Sequence, residues 1–197
     1  MISVPLSIIF PDVEKLKKKL GIKLPLIREE KRIEQALMEL TLNCDPRFWF
    51  KKLDFKEVSV KAIFGSSKDL TKVMDGFSEG FAVICTIGLV GDVNSSNAKS
   101  DMAFSMYFDR AGSELCENLA EQSAKILLER FYTGSNYELS KRYSPGYGDF
   151  KLEMQKALFA LFSDEKLGVK LSKSFYMEPE KSVSYIVGVR KVSGGRK

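Results

Sequence analysis

The run Arg142-Tyr143-Ser144-Pro145-Gly146-Tyr147-Gly148-Asp149 places a guanidinium, a Pro-Gly turn and an aromatic ring within six residues. A guanidinium can hold a carboxylate in a two-pronged fork, glycine lets the backbone approach a ligand, and a phenol ring can lie over a planar group. That is the chemistry of a small-ligand loop. The same residues also suit a plain Pro-Gly turn with Arg142 solvated and Tyr147 packed, so the loop alone leaves both readings open. About thirty residues further on stands a second block, Met177-Glu178-Pro179-Glu180-Lys181-Ser182-Val183-Ser184.

Composition removes other chemistries. The 197 residues include no histidine, which takes away imidazole as general base, metal ligand or triad member. Cys44, Cys85 and Cys116 are odd in number, widely spaced and form no C-x-x-C unit. They read as small buried apolar groups, with neither a disulfide framework nor a zinc cluster expected. No catalytic residue and no metal ligand is expected. The net charge of +5 would suit an acidic partner, but the densest basic run, Lys15, Lys17, Lys18 and Lys19, reads as a solvated helix face. No stacking motif stands out among the aromatics, so nucleic acid is not an expected partner. The apolar stretch at residues 4–10 is too short for a membrane span and lacks the flanks of a secretory signal. A cytoplasmic protein away from membranes is expected.

The elements that must position the loop follow from periodicity. Residues 6–10 read as an edge strand, with Pro11-Asp12 starting a lysine-rich helix over 12–20 that ends at Gly21. A second helix is predicted over 28–42, with Ile33, Leu37, Leu40 and Leu42 on its apolar face. These make a helical preface, residues 1–52, packed on a main domain at 53–197. Residues 55–63 alternate as a half-buried strand would. Ser66-Ser67 caps a short helix reaching Met74, and the apolar run 81–87 suits a central strand closed by Gly88. A helix-rich stretch follows Gly91-Asp92 and reaches about residue 131, with a break predicted near Gly112-Ser113. Cys116, Ala120, Ser123, Ala124, Leu127 and Phe131 form its buried stripe, whereas Glu114, Glu117, Asn118, Glu121 and Lys125 face outward. A helix over 151–162 and three strands near Val169, Phe175 and 183–189 complete the chain. The expected fold is α+β, with a curved, mainly antiparallel sheet flanked by helices.

Arg142-x-Ser144-Pro145-Gly146-Tyr147, followed by Lys170-Leu171-Ser172-x-Ser174-Phe175-x-Met177-x-Pro179-x-x-Ser182-Val183-Ser184, resembles the S-adenosylmethionine-binding activation domain of cobalamin-dependent methionine synthase. Thr86-Ile87-Gly88 and Asp109-Arg110-Ala111-Gly112-Ser113 fall in register upstream, so the likeness covers roughly residues 55–190. It implies that Arg142 grips the ligand, that Ser144 stands where a residue gives main-chain contacts, that Gly146 and Tyr147 lie beside the methyl group, and that Glu121 meets the ligand's positive end. It further implies S-adenosylmethionine as ligand, cobalamin carried by a partner methionine synthase chain, and a flavodoxin-like or other electron donor. The reaction would be reductive methylation of inactive cobalamin, with this chain as a component acting in trans in methionine biosynthesis. Two departures stand out. Gly148-Asp149-Phe150 replaces the cysteine and histidine that often follow the Gly-Tyr pair, and a tyrosine near the family's carboxyl end has no counterpart after Val189. An acidic contact from the amino-terminal part is unassigned, with Asp54 a conceivable candidate. A binding or chaperone module without methyl delivery is the alternative these departures allow.

Overall fold

The structure, a computed structural model, describes residues 1–11, 13–19, 27–88, 101–133 and 136–192. Its centre is an antiparallel sheet of five strands in the order β1-β2-β3-β7-β4, comprising β1 (Ile2–Ser3), β2 (Arg47–Asp54), β3 (Glu79–Thr86), β4 (Tyr137–Leu139) and β7 (Ser182–Lys191). Between β4 and β7 in sequence, β5 (Lys170–Leu171) and β6 (Met177–Glu178) form a separate antiparallel pair.

Side chains of β3 alternate between two cores. Phe81, Val83 and Cys85 point to one face, Ala82 and Ile84 to the other, as the two-residue period of a strand requires. Because both faces are covered, the strand is apolar throughout, which explains its unbroken hydrophobic run. The first face is covered by α1 (Leu6–Ile9), α2 (Val13–Lys19), α3 (Ile27–Asn43) and the long helix α6 (Met102–Phe131). On the second lie α4 (Val58–Gly65), α5 (Lys68–Val73), a 3-10 turn at Leu152–Met154, α7 (Gln155–Ala160) and the β5-β6 pair. Phe48, Phe81 and Phe108 are fully buried in the first core, each contributing about 1.5–3 kcal/mol by leaving water. The architecture is the α+β arrangement expected. No helix among the described residues is long and apolar enough to cross a membrane.

Several expected elements differ. Residues 6–10 form a single helical turn in place of a strand. Pro5 opens it, Phe10 N–H closes onto the Leu6 carbonyl at 2.8 Å, and only Ile9 is buried while Ile8 and Phe10 face outward. The strand expected at 55–63 is helix α4, whose buried Val60 and Ile63 have the three-residue spacing of a helix. Asp54 forces the change of direction: its Oδ1 accepts from Lys56 N–H at 2.8 Å and its carbonyl accepts from Glu57 N–H at 3.1 Å, a turn that ends the preceding strand. That strand, β2, went unread because Phe48 and Trp49 are both buried, one on each face, and mask the alternation.

Helix α6 runs unbroken through Gly112-Ser113. Gly112 is buried where Leu40 of α3 and the Lys181 stem approach it, and Ser113 Oγ bonds back to the Asp109 carbonyl at 3.0 Å, as a mid-helix serine can. Its buried face is wider than expected, since α3 packs along its first half: Glu114 is buried, while Phe131 at the far end is exposed. Leu42 of α3 is likewise exposed. The cap at Asp12, the stop at Gly21, residues 91–100 of the predicted helix-rich stretch and the tail from Ser193 lie outside the described residues. Within the lysine run, Lys17 bridges Glu14 (3.0 Å) and Glu30 (2.8 Å) and so ties α2 to α3. The boundary expected at residue 52 falls inside β2, and α3 shares one core with α6.

Candidate functional site

The ligand loop is anchored on β7. Beyond β4, Ser140 N–H bonds the Gly188 carbonyl (2.9 Å) and Ser140 Oγ accepts from Gly188 N–H (2.8 Å); Tyr143 then exchanges both backbone bonds with Ile186 at 2.9 Å each. Tyr143 therefore projects toward the second core and stacks on buried Phe150, with 6.2 Å between ring centroids. Arg142, one residue earlier, takes the opposite side and lies 5.5 Å above the ring of fully buried Tyr185. Tyr185 is itself held by a hydrogen bond from its hydroxyl to the Ala120 carbonyl (3.0 Å) and another shared with Ser123 Oγ (2.8 Å). Burial pushes the Tyr185 phenol well above its usual range, so it stays neutral and serves as a fixed platform. The Arg142 guanidinium thus has a cation–π floor and one carboxylate partner: Nη2 donates to Glu117 Oε1 at 2.5 Å.

This pair sits in a groove of about 590 Å³ lined by Val73, Glu117, Lys141, Arg142, Tyr143, Ser144, Tyr147 and Val183. The Arg142 side chain is 25% exposed and that of Glu117 58%, and a pair with its carboxylate largely in water contributes only about 0–1 kcal/mol. A ligand can therefore separate the two charges at little cost. Glu117 and Val183 also line a smaller lobe of about 210 Å³, together with Ser113, Cys116, Glu180, Lys181 and Ser182. The two concavities thus adjoin at Glu117 and Val183.

All four sequence blocks converge here. Lys181 Nζ donates to Asp109 Oδ1 (2.6 Å) and Ser113 Oγ (3.1 Å), tying the Asp109-to-Ser113 turn of α6 to the second block. Ser182 Oγ donates to the Pro179 carbonyl at 2.6 Å and contacts Thr86 Oγ1 at 2.9 Å; Thr86 Oγ1 in turn accepts from Gly88 N–H at 3.1 Å. Thr86 and Ser182 are paired across β3 and β7.

Of the residues singled out by sequence, Arg142, Ser144 and Tyr147 line the groove. Tyr147 is 67% exposed, so it is not packed as the plain-turn reading has it, and the Arg142 side chain is 25% exposed. Gly146 shapes the turn instead: at φ +98°, a conformation glycine adopts readily, its N–H bonds the Phe150 carbonyl at 2.6 Å. Glu121 lies one helical turn beyond Glu117, paired with Lys125 at 2.7 Å. Asp54 sits at the opposite end of β2, seven residues from Arg47, about 23 Å along an extended strand. The lining residues to which the sequence assigned no site role are Val73, Glu117, Lys141, Tyr143 and Val183. Glu117 carried a signal, being four residues before Glu121 on the same outward face; Val73 carried none, because only the fold brings α5 to the loop.

Among solved structures, the chain is similar to the crystal structure of the MetH reactivation domain bound to AdoHcy. The two share 17% identity with a TM-score of 0.64, over 99% of this chain and 79% of the other. The likeness establishes the class of fold: a curled antiparallel half-barrel sheet flanked by helices, as in that reactivation domain. No protein-family model and no curated protein matches the sequence.

Proposed function

We propose that the chain binds S-adenosylmethionine in this groove and supports reductive methylation of cobalamin carried by a partner methionine synthase. The observation that carries the reading is the meeting of four separate motif blocks around one Arg142–Glu117 pair, on the fold of a reactivation domain solved with AdoHcy. The donor set fits the ligand. S-adenosylmethionine has a carboxylate, an ammonium, a sulfonium and an adenine. Arg142 suits the carboxylate, and Glu117 suits the positive end, with Glu121 adding negative charge on the same helix face. Tyr143, Tyr147 and Val183 offer aromatic and apolar walls, and the groove volume lies in the usual range for small-molecule sites.

When bound, the sulfonium supplies an activated methyl group and the partner's reduced cobalt supplies the nucleophile. The chain's own contribution is position. Arg142 is fixed over Tyr185, the loop is fixed on β7, and a ligand held by both charges presents its reactive carbon in one direction, which raises effective concentration. No acid or base help is required of the protein, in keeping with a chain that has no histidine. The open lip at Tyr147 leaves room for the partner to cover the site while a flavodoxin-like or other donor supplies the electron.

The test combines this protein with a cobalamin-bearing methionine synthase, oxidised cobalamin, a reductant and methyl-labelled S-adenosylmethionine. Label on cobalt that depends on this chain is expected. Calorimetric binding without label would reduce the chain to a ligand-binding module, and neither binding nor label would overturn the reading.

A further inference from the structure

The last part of the loop motif, Gly148-Asp149, takes no part in lining the groove, yet it is bound more fully than any residue that does. Asp149 Oδ2 accepts from Lys68 N–H at 2.8 Å, its Oδ1 accepts from Asp69 N–H at 3.2 Å and from the Ser67 hydroxyl, and its own N–H bonds Asp69 Oδ2 at 3.3 Å. Ser67 Oγ in turn accepts from Leu70 N–H at 2.9 Å and caps α5. Two segments some eighty residues apart thus cap one another reciprocally, through donors that a helix start otherwise leaves free. Gly148 is needed for the approach: a Cβ there would lie 2.3 Å from Asp69 Oδ2 and 2.5 Å from the Tyr143 hydroxyl.

The consequence reaches the groove through α5. Val73, the last residue of that helix, lines the groove together with Tyr143, Ser144 and Tyr147 of the loop, so where Asp149 fastens loop to helix bears on the distance between these lining residues. Leu70 is fully buried beneath, which keeps α5 from following the loop if the latch opens. We infer that Asp149 is a positioning residue for ligand binding, a latch between loop and α5 that sets the width of the groove without touching the ligand. This rests on the proposed function for the identity of the ligand, but the latch itself is tested separately.

The experiment compares the full chain with Asp149→Ala, Asp149→Asn, Ser67→Ala and the Ser67→Ala/Asp149→Ala double variant. Each is measured by calorimetric titration with S-adenosylmethionine, by amide hydrogen exchange and by thermal unfolding. Loss of a cap of this kind predicts affinity weakened about three- to thirtyfold in Asp149→Ala, with partial rescue in Asp149→Asn, which keeps one acceptor oxygen. Exchange should quicken at residues 68–70 and 144–148 while β3 and β7 stay protected. The double variant should bind no worse than Asp149→Ala alone, since both changes open one latch. Unchanged affinity in a folded Asp149→Ala, or quickened exchange spread evenly over the whole chain, would overturn the inference. If the unaltered chain bound no S-adenosylmethionine, the functional reading would fall, and the exchange pattern would still decide whether Asp149 holds the loop.

Discussion

The two ends of the β3–β7 ladder are built from similar residues and differ in what those residues touch. At the Glu79–Val189 end, charges meet charges at the surface: Lys52 with Glu79 at 3.0 Å and Arg190 with Glu138 at 2.5 Å, each cation also lying over a ring, Tyr132 and Phe77 respectively. At the Thr86–Ser182 end, Ser182 Oγ bonds the Pro179 carbonyl, Thr86 Oγ1 accepts from Gly88 N–H, and the Lys181 ammonium, 13% exposed, reaches Asp109 and Ser113 of α6. The first kind of contact decorates a fold, whereas the second fixes where a loop can lie. Surface pairs lose most of their Coulomb energy to water; a polar side chain bonded to backbone and shielded from solvent is costly to leave unpaired. The candidate groove stands at the second end.

Five substitutions sharpen this contrast. Arg142→Ala should have the largest effect, weakening S-adenosylmethionine binding about a hundredfold, since it removes a charged partner poised over a ring. Calorimetric titration checks it, with circular dichroism to confirm that the fold is kept. Glu117→Gln comes next, at about tenfold, and it should exceed Glu121→Gln, whose carboxylate already faces Lys125; equal effects would put the ligand's positive end further along α6. Third, Ser182→Ala removes bonds to both Thr86 and the Pro179 carbonyl and should lower unfolding free energy by about 1–2 kcal/mol in urea titrations. Smallest of all, Glu138→Ala at the opposite end should stay within about 0.5 kcal/mol and leave ligand affinity untouched.

Acid provides a further contrast. The hydrogen bond from Ser67 and the backbone donors of α5 hold Asp149 below the ordinary aspartate range, and the backbone of α6 together with Arg32 does the same for Asp101. A carboxylate whose folded value is depressed lends stability above its unfolded value, and that stability is lost as pH falls through the folded one. Unfolding free energy should therefore decline below about pH 4, and Asp149→Asn should flatten part of that decline in denaturant titrations repeated across pH.

Much of the frame was legible from residues alone. Helix α3, the Ser67 cap of α5 and the central strand β3 each follow from one local signal: an apolar period, a capping hydroxyl, an unbroken hydrophobic run. Helix α4 was misread because Val58, Val60 and Ala62 satisfy a two-residue alternation, whereas the helix buries Val60 and Ile63, and the Asp54 turn that decides between them acts one residue upstream of the expected strand. In the loop, the residue types of Arg142 and Tyr147 marked them as candidates, and both line the groove. Glu117 was legible only as an outward glutamate four residues before Glu121, since two such glutamates one turn apart look alike until the fold shows which of them Arg142 reaches. Asp149 was legible only as part of the Gly148-Asp149-Phe150 departure from the family's motif, because its partners Ser67, Lys68 and Asp69 lie some eighty residues away in sequence.

The central claim is most directly tested by a crystal structure of this chain grown with S-adenosylmethionine. The proposal predicts density between Arg142 and Glu117, with the carboxylate on the guanidinium, the ion pair opened and the sulfonium carbon facing the Tyr147 lip. Density elsewhere on the molecule, or a groove still closed by the Arg142–Glu117 pair at saturating ligand, would contradict it.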